Sequence, residues 1–121
     1  MSNDELNYLG AAEALAAFKS RTLSPVELMN ALIARAEAVE PKINAFPMKF
    51  FDQALAQARK AEARYMKTDG RVRPLEGIAC AIKDETTIKG WRTTFGSLIY
   101  KDNVDEYTAP PAEPPPRKSY L

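Results

Sequence analysis

The chain has 121 residues, 45% hydrophobic and 27% charged, the balance of a globular domain with room for one modest core. Seventeen Lys and Arg against sixteen Asp and Glu leave a formal charge of +1, which offers no basic field to hold nucleic acid. Histidine is absent and Cys80 is the only cysteine, which excludes Ser-His-Asp and Cys-His nucleophile pairs, His-rich zinc sites and internal disulfides.

In chain order, "GAAEALAAFKS" places Ala11, Leu15 and Phe18 at helical spacing and predicts a short amphipathic helix over about 10–19. Next, Ser24, Pro25 and Glu27 form a capping-box pattern with proline at the first helical position. They predict a helix over about 25–39, stopped by Pro41. Val26, Met29, Leu32, Ile33, Ala36 and Val39 would be its buried stripe. After the extended bridge "INAFP", a third helix is predicted over about 48–65, with Phe51, Ala54, Leu55, Ala58, Ala61 and Tyr65 recurring at three and four. A polar loop follows, with a turn at Asp69-Gly70. The period then changes. "LEGIACAIKD" reads as β-like, with Gly77 marking a bulge or close backbone approach and residues 78–82 a buried strand. Cys80 reads as a small buried residue of that strand, and Trp91 and Phe95 read as packing residues.

The apolar run from Leu75 to Ile82 carries one charge, Glu76, and delivers Lys83 with Asp84 directly after it. On its own, a lysine there reads as a surface cation whose stem snorkels along the strand end. With no histidine, any acid–base chemistry falls to lysine, a carboxylate or tyrosine. No metal or other cofactor is expected. The N-terminus "MSNDELNYLG" lacks a signal-peptide pattern, and no apolar run approaches the roughly 18 residues that suggest a membrane span. With a lone cysteine, these features predict a cytoplasmic protein without a membrane anchor of the spanning kind.

The stretch Pro74-Leu75, Gly77-Ile78, Ala81-Ile82-Lys83-Asp84, Gly90, Thr93-Thr94-Phe95-Gly96-Ser97 resembles the signature of the amidase signature family, enzymes that hydrolyse carboxylic amides. Ala79 replaces a proline common in that motif, and the upstream "LSPVELMNALIARAEAVEPKINAF" is also similar to the family's N-terminal helix. The resemblance covers about residues 9–109. It implies an α/β fold in which the helices cover a large mixed sheet containing strand 78–82, and a small-molecule amide as substrate. It also implies that Lys83 is the base of a Ser-Ser-Lys triad, with Gly77, Asp84, Gly96 and Ser97 as active-site scaffold and Ser97 not the nucleophile. The family's two serines and oxyanion donors come from a later Gly/Ser-rich segment, but the only serines after Lys83 are Ser97 and Ser119. The expectation is an N-terminal fragment, inactive alone, with apolar faces open to self-association.

From Pro110 to Pro116 five of the nine prolines fall within seven residues, so residues 110–121 read as a disordered or extended tail outside the homologous domain 1–109. A frameshifted or truncated gene, or one half of a split enzyme, would give such a chain. The competing reading is a non-catalytic helical binding module whose "PPAEPPPR" serves as a polyproline ligand.

Overall fold

The computed structural model describes residues 1–67 and 71–112. They form four helices: α1 (Asn3–Asn7), α2 (Ala11–Ser20), α3 (Pro25–Ile43) and α4 (Phe51–Tyr65). Two 3-10 turns follow, at Leu98–Tyr100 and Pro110–Ala112. The chain divides into two compact units, Met1–Ala79 and Cys80–Leu121. The expected Asp69-Gly70 turn and the Pro-rich residues 113–121 lie outside the described residues.

The first three helices start where the chain supplies side-chain partners for backbone N–H groups at the cap. The Ser24 hydroxyl accepts from the Val26 N–H at 2.9 Å, and the Glu27 carboxylate accepts the Ser24 N–H at 2.8 Å. Glu5 does the same for Ser2 ahead of α1, and Glu13 for Gly10 ahead of α2. α2 closes with Arg21 in the left-handed region, where the Thr22 N–H reaches the Ala17 carbonyl.

α3 runs past the expected stop. Pro41 lies inside its last turn, and the helix ends at Asn44, whose left-handed backbone is one that asparagine tolerates. The Asn44 N–H donates to the Glu40 carbonyl at 2.8 Å, and the Glu40 carboxylate accepts the Phe46 N–H. Proline near a helix end forfeits one backbone bond without kinking a long ladder, so the local caps decide where the helix stops.

The core of the first unit comprises Leu6, Ala14, Phe18, Leu23, Leu28 and Ala31, with Leu9, Leu15, Ala17, Leu32, Tyr65 and Ile78 packed against it. The Phe18 and Tyr65 rings meet at 5.7 Å between centroids, tilted by 52°. α4 packs on α3, and its stripe is as expected: Ala58 and Ala61 are buried, with Phe51, Ala54, Leu55 and Tyr65 half-buried. The α3 stripe differs. Pro25, Leu28, Ala31 and Glu40 are buried, whereas Val26, Met29, Leu32, Ile33, Ala36 and Val39 are half-buried flanks. Ala11 is exposed, and Ala14 takes the buried place in α2.

The strand does not form. Among the described residues there is no strand and no sheet, only an isolated antiparallel bridge between Arg92 and Val104. The expected α/β architecture with a large mixed sheet is therefore corrected to a helical unit followed by an irregular one. Residues 80–83 are exposed, Cys80 included, so this cysteine is not a core residue. The reason is physical. A strand is a paired object whose N–H and C=O groups need a neighbour, and β-propensity measures packing against that neighbour. No neighbouring strand stands beside 78–82 among the described residues.

Candidate active-site segment

Lys83 lies in the second unit, and its backbone is framed on both sides. The Lys83 carbonyl accepts the Thr86 N–H at 3.0 Å, closing a turn, and the next carbonyl, that of Asp84, accepts the Phe95 N–H at 3.0 Å. The amine itself points into solvent. Its side chain is 76% exposed and pairs with the Glu85 carboxylate at 2.9 Å.

Asp84 is the organising group of this segment. Its carboxylate accepts the Thr94 N–H at 2.8 Å and the Thr94 hydroxyl in a very short hydrogen bond. Burial pushes the Asp84 carboxyl up. The Thr94 hydroxyl and amide, the Gly96 N–H and the charge of Arg92 outweigh that and hold it below its ordinary value. The turn carrying Thr94 needs unusual backbone. Phe95 and Gly96 both sit at positive φ, 52° and 66°. A Cβ on Gly96 would meet open space, so here glycine serves conformation rather than close approach. Ser97 starts the 3-10 turn, its hydroxyl accepting the Ile99 N–H at 3.3 Å. The Phe95 ring stands edge-on to Tyr100 with 5.5 Å between centroids, and Trp91 is half-buried.

The other expected scaffold residue, Gly77, belongs to the first unit. It has φ 83°, and a Cβ there would stand 2.9 Å from the Pro25 ring and 3.3 Å from Phe18, so the backbone approaches the helices closely, as its glycine suggested. The preceding residue has an unexpected role. Glu76, whose side chain is 1% exposed, is held by Arg64 at 2.6 Å and by Arg73 at 2.7 Å, while its carbonyl accepts the Tyr65 hydroxyl at 2.9 Å. Bonding to Arg73, then to Arg64, holds its carboxyl below the usual range against the opposing effect of burial. Burial, with the Glu76 charge nearby, pushes the Tyr65 hydroxyl up.

Sequence reasoning missed Asp105 and the division of labour between the two threonines. The Asp105 carboxylate accepts the Thr93 hydroxyl, in another very short bond, as well as the Ile88 N–H at 3.3 Å and the Asn103 side-chain amide at 3.2 Å. Alternating polar residues at 103 and 105, facing a Thr-Thr pair, were the available signal. Among the described residues no three His, Cys, Asp or Glu side chains gather to hold a metal ion. Nor is any helix among the described residues long and apolar enough to cross a membrane.

The family model for amidases matches residues 27–112, well over half the chain, and this chain belongs to the amidase family, of which it represents the N-terminal portion. It is 43% identical over 91 residues to a glutamyl-tRNA(Gln) amidotransferase subunit from Geotalea daltonii, covering 75% of this chain and 18% of that protein. It is 37% identical over 105 residues to an acylamidase from Rhodococcus erythropolis, covering 86% of this chain and 22% of the relative. The corresponding amidotransferase subunit from Dehalococcoides mccartyi is 39% identical over 105 residues, covering 87% of this chain and 21% of the relative. The chain thus spans about a fifth of the length of the curated relatives it matches.

Proposed function

We propose that the chain is part of an enzyme that hydrolyses the C–N bond of carboxylic amides, with Lys83 as the general base. Family membership carries this reading, because Lys83 stands at the lysine of the motif Ala81-Ile82-Lys83-Asp84. The framing of Lys83 and Asp84 by the Thr86, Thr94 and Phe95 N–H groups supports it, since a base acts from a fixed point. In the proposed reaction the neutral amine takes a proton through a bridging serine from a second serine, whose oxygen attacks the amide carbonyl. The same relay returns a proton to the departing nitrogen, and water then hydrolyses the acyl-serine. Asp84, Gly77, Gly96 and Ser97 are proposed as scaffold.

Two requirements lie beyond these residues. Both serines would come from a Gly/Ser-rich segment, and neither Ser97 nor Ser119 has that setting. Base catalysis also needs a neutral amine, and free lysine titrates near about 10.4, so a dry setting is required. Here the side chain is exposed. The chain alone is therefore proposed to be inactive.

The test grafts residues 27–112 into the matching stretch of the Rhodococcus erythropolis acylamidase and assays aryl and aliphatic amides. The graft should hydrolyse them, and Lys83→Ala should lower kcat by roughly 10³-fold or more, the scale of losing one member of a catalytic triad. Activity within about tenfold of the parent graft after Lys83→Ala would remove Lys83 from the role. Hydrolysis by the isolated chain that disappears with Lys83→Ala would overturn the inactivity alone.

A further inference from the structure

Successive residues of an extended segment present opposite faces, and Thr93 and Thr94 use this to reach two different carboxylates. Thr94 binds Asp84, the neighbour of Lys83, through both its N–H and its hydroxyl. Thr93, only 2% exposed, gives its hydroxyl to Asp105. Asp105 sits on the return side of an irregular antiparallel ribbon. Its N–H donates to the Trp91 carbonyl at 3.0 Å, and its carbonyl accepts the Gly90 N–H at 2.8 Å. The Thr93 N–H reaches the Asn103 carbonyl, and the Asn103 side-chain amide returns to the Thr93 carbonyl at 3.0 Å. The Ala109 N–H donates to the Thr87 carbonyl at the far end.

We propose that Asp105 is a positioning residue for Lys83: by holding Thr93 it fixes the peptide that carries Thr94, and Thr94 holds Asp84 and hence the backbone that presents the amine. The inference rests on the reading of Lys83 as the base. Its structural half, the coupling of the two carboxylate clamps, stands independently of that reading. Both bonds of the relay end on carboxylates, and charge-assisted bonds of this kind are stronger than neutral ones. The chain of contacts is short: one carboxylate, two adjacent threonines, one carboxylate, then Lys83. Asparagine at 105 offers one side-chain oxygen where aspartate uses two, one for Thr93 and Ile88 and the other for Asn103. Valine at 93 keeps the shape and loses the hydroxyl, whereas serine keeps the hydroxyl.

The first experiment measures amide hydrogen exchange in the 121-residue chain and in its Asp105→Asn, Thr93→Val and Thr93→Ser variants, with far-UV circular dichroism checking the helical unit and Trp91 emission the second unit. Asp105→Asn and Thr93→Val should speed exchange at Thr94 and Phe95 by roughly tenfold or more, and Thr93→Ser should stay within about threefold of the parent. Unchanged exchange at those two amides in folded Thr93→Val would overturn the coupling. The second experiment places the same variants in the acylamidase graft. There Asp105→Asn and Thr93→Val should lower kcat about 10- to 100-fold with KM within about threefold, and Thr93→Ser should restore it, as a small misplacement of a base predicts. Faster exchange with unchanged kcat would overturn the positioning role. Retained activity in Lys83→Ala would instead remove the base itself, a separate failure.

Discussion

The two units place carboxylates at their centres in different ways. In Met1–Ala79 the buried Glu76 is matched by the guanidinium groups of Arg64 and Arg73, beside an apolar core built around Phe18 and Leu28. In residues 80–112, Asp84 and Asp105 are matched by hydroxyls and backbone N–H groups, and the described residues that are buried are Thr87 and Thr93. Leu98 and Ile99 there are 87% exposed. One unit is held by apolar burial with a polar pin, the other by a hydrogen-bond lattice around two acids. Apolar burial is non-directional and worth roughly 25 cal/mol per Å², whereas a hydrogen bond nets only about 1 kcal/mol and depends on geometry. The first unit should therefore respond most to lost apolar volume, and the second to the loss of a hydrogen-bond partner.

The largest expected effect comes from removing a core ring. Phe18→Ala should cost the first unit about 3–5 kcal/mol, the range for emptying a buried aromatic site. Ile88→Ala, at a half-buried position of the second unit, should cost no more than about 1 kcal/mol because little apolar area is lost there. Urea titrations separate the two: circular dichroism at 222 nm reports the helices, and Trp91, the only tryptophan, reports the second unit. Equal costs would erase the contrast between the units.

Acid should sharpen it. Glu76 and Asp84 both titrate below their ordinary values in the folded chain. Each therefore contributes stability that is fully present above its unfolded pKa, near about 4, and is lost as pH falls through the depressed folded value. The direction is the same in both units, but the consequence differs. Protonating Glu76 leaves the core around Phe18 in place, while protonating Asp84 takes away its charge and turns one of its two acceptor oxygens into a donor, weakening its hold on the Thr94 turn. Lowering pH from 6 to 2 should thus shift Trp91 emission before the helical signal falls. Coincident transitions, or earlier loss of helix, would show that both units rest on their acids alike.

What the sequence made legible follows the same division. Local signals sufficed for three of the four helices, α1 (Asn3–Asn7) having gone unread: Ser24, Pro25 and Glu27 marked the start of α3, and the small-residue stripe of α4 was read correctly. The α3 stripe was displaced because Val26, Met29 and Ile33 are as apolar as Leu28, so periodicity could not rank the faces until α4 and α1 were docked on it. Pro41 misled because its cost depends on its distance from the helix end. Strand 78–82 was misread because alternation reports suitability for pairing while saying nothing of a partner. The burial of Cys80 fell with it. In the candidate site the Lys83-Asp84 and Thr93-Thr94 pairs were visible as a motif. Asp105 was not, because its partner lies twelve residues away and the link is tertiary. Glu76 was visible only as the single charge in an apolar run: Arg73, three residues before it, was a local hint, but Arg64 lies twelve residues away.

A helix cap tests how much of the first unit is polar after all, at less than the cost of Phe18→Ala. The Ser24 hydroxyl has two duties: it accepts the Val26 N–H as a helix cap and donates to the Glu62 carboxylate of α4 at 2.5 Å. Ser24→Ala loses both and should cost about 1–2 kcal/mol, the upper part of the range for an N-cap. Ser24→Asp keeps the cap acceptor but sets a like charge against Glu62, while Ser24→Asn keeps the acceptor and supplies a donor. If the bond to Glu62 matters, asparagine should recover most of the loss and aspartate should not, a gap that should close when the medium is acid enough to protonate both carboxyls. Equal recovery by the two at neutral pH would assign the whole effect to the cap, leaving the packing of α4 on α3 to its alanines.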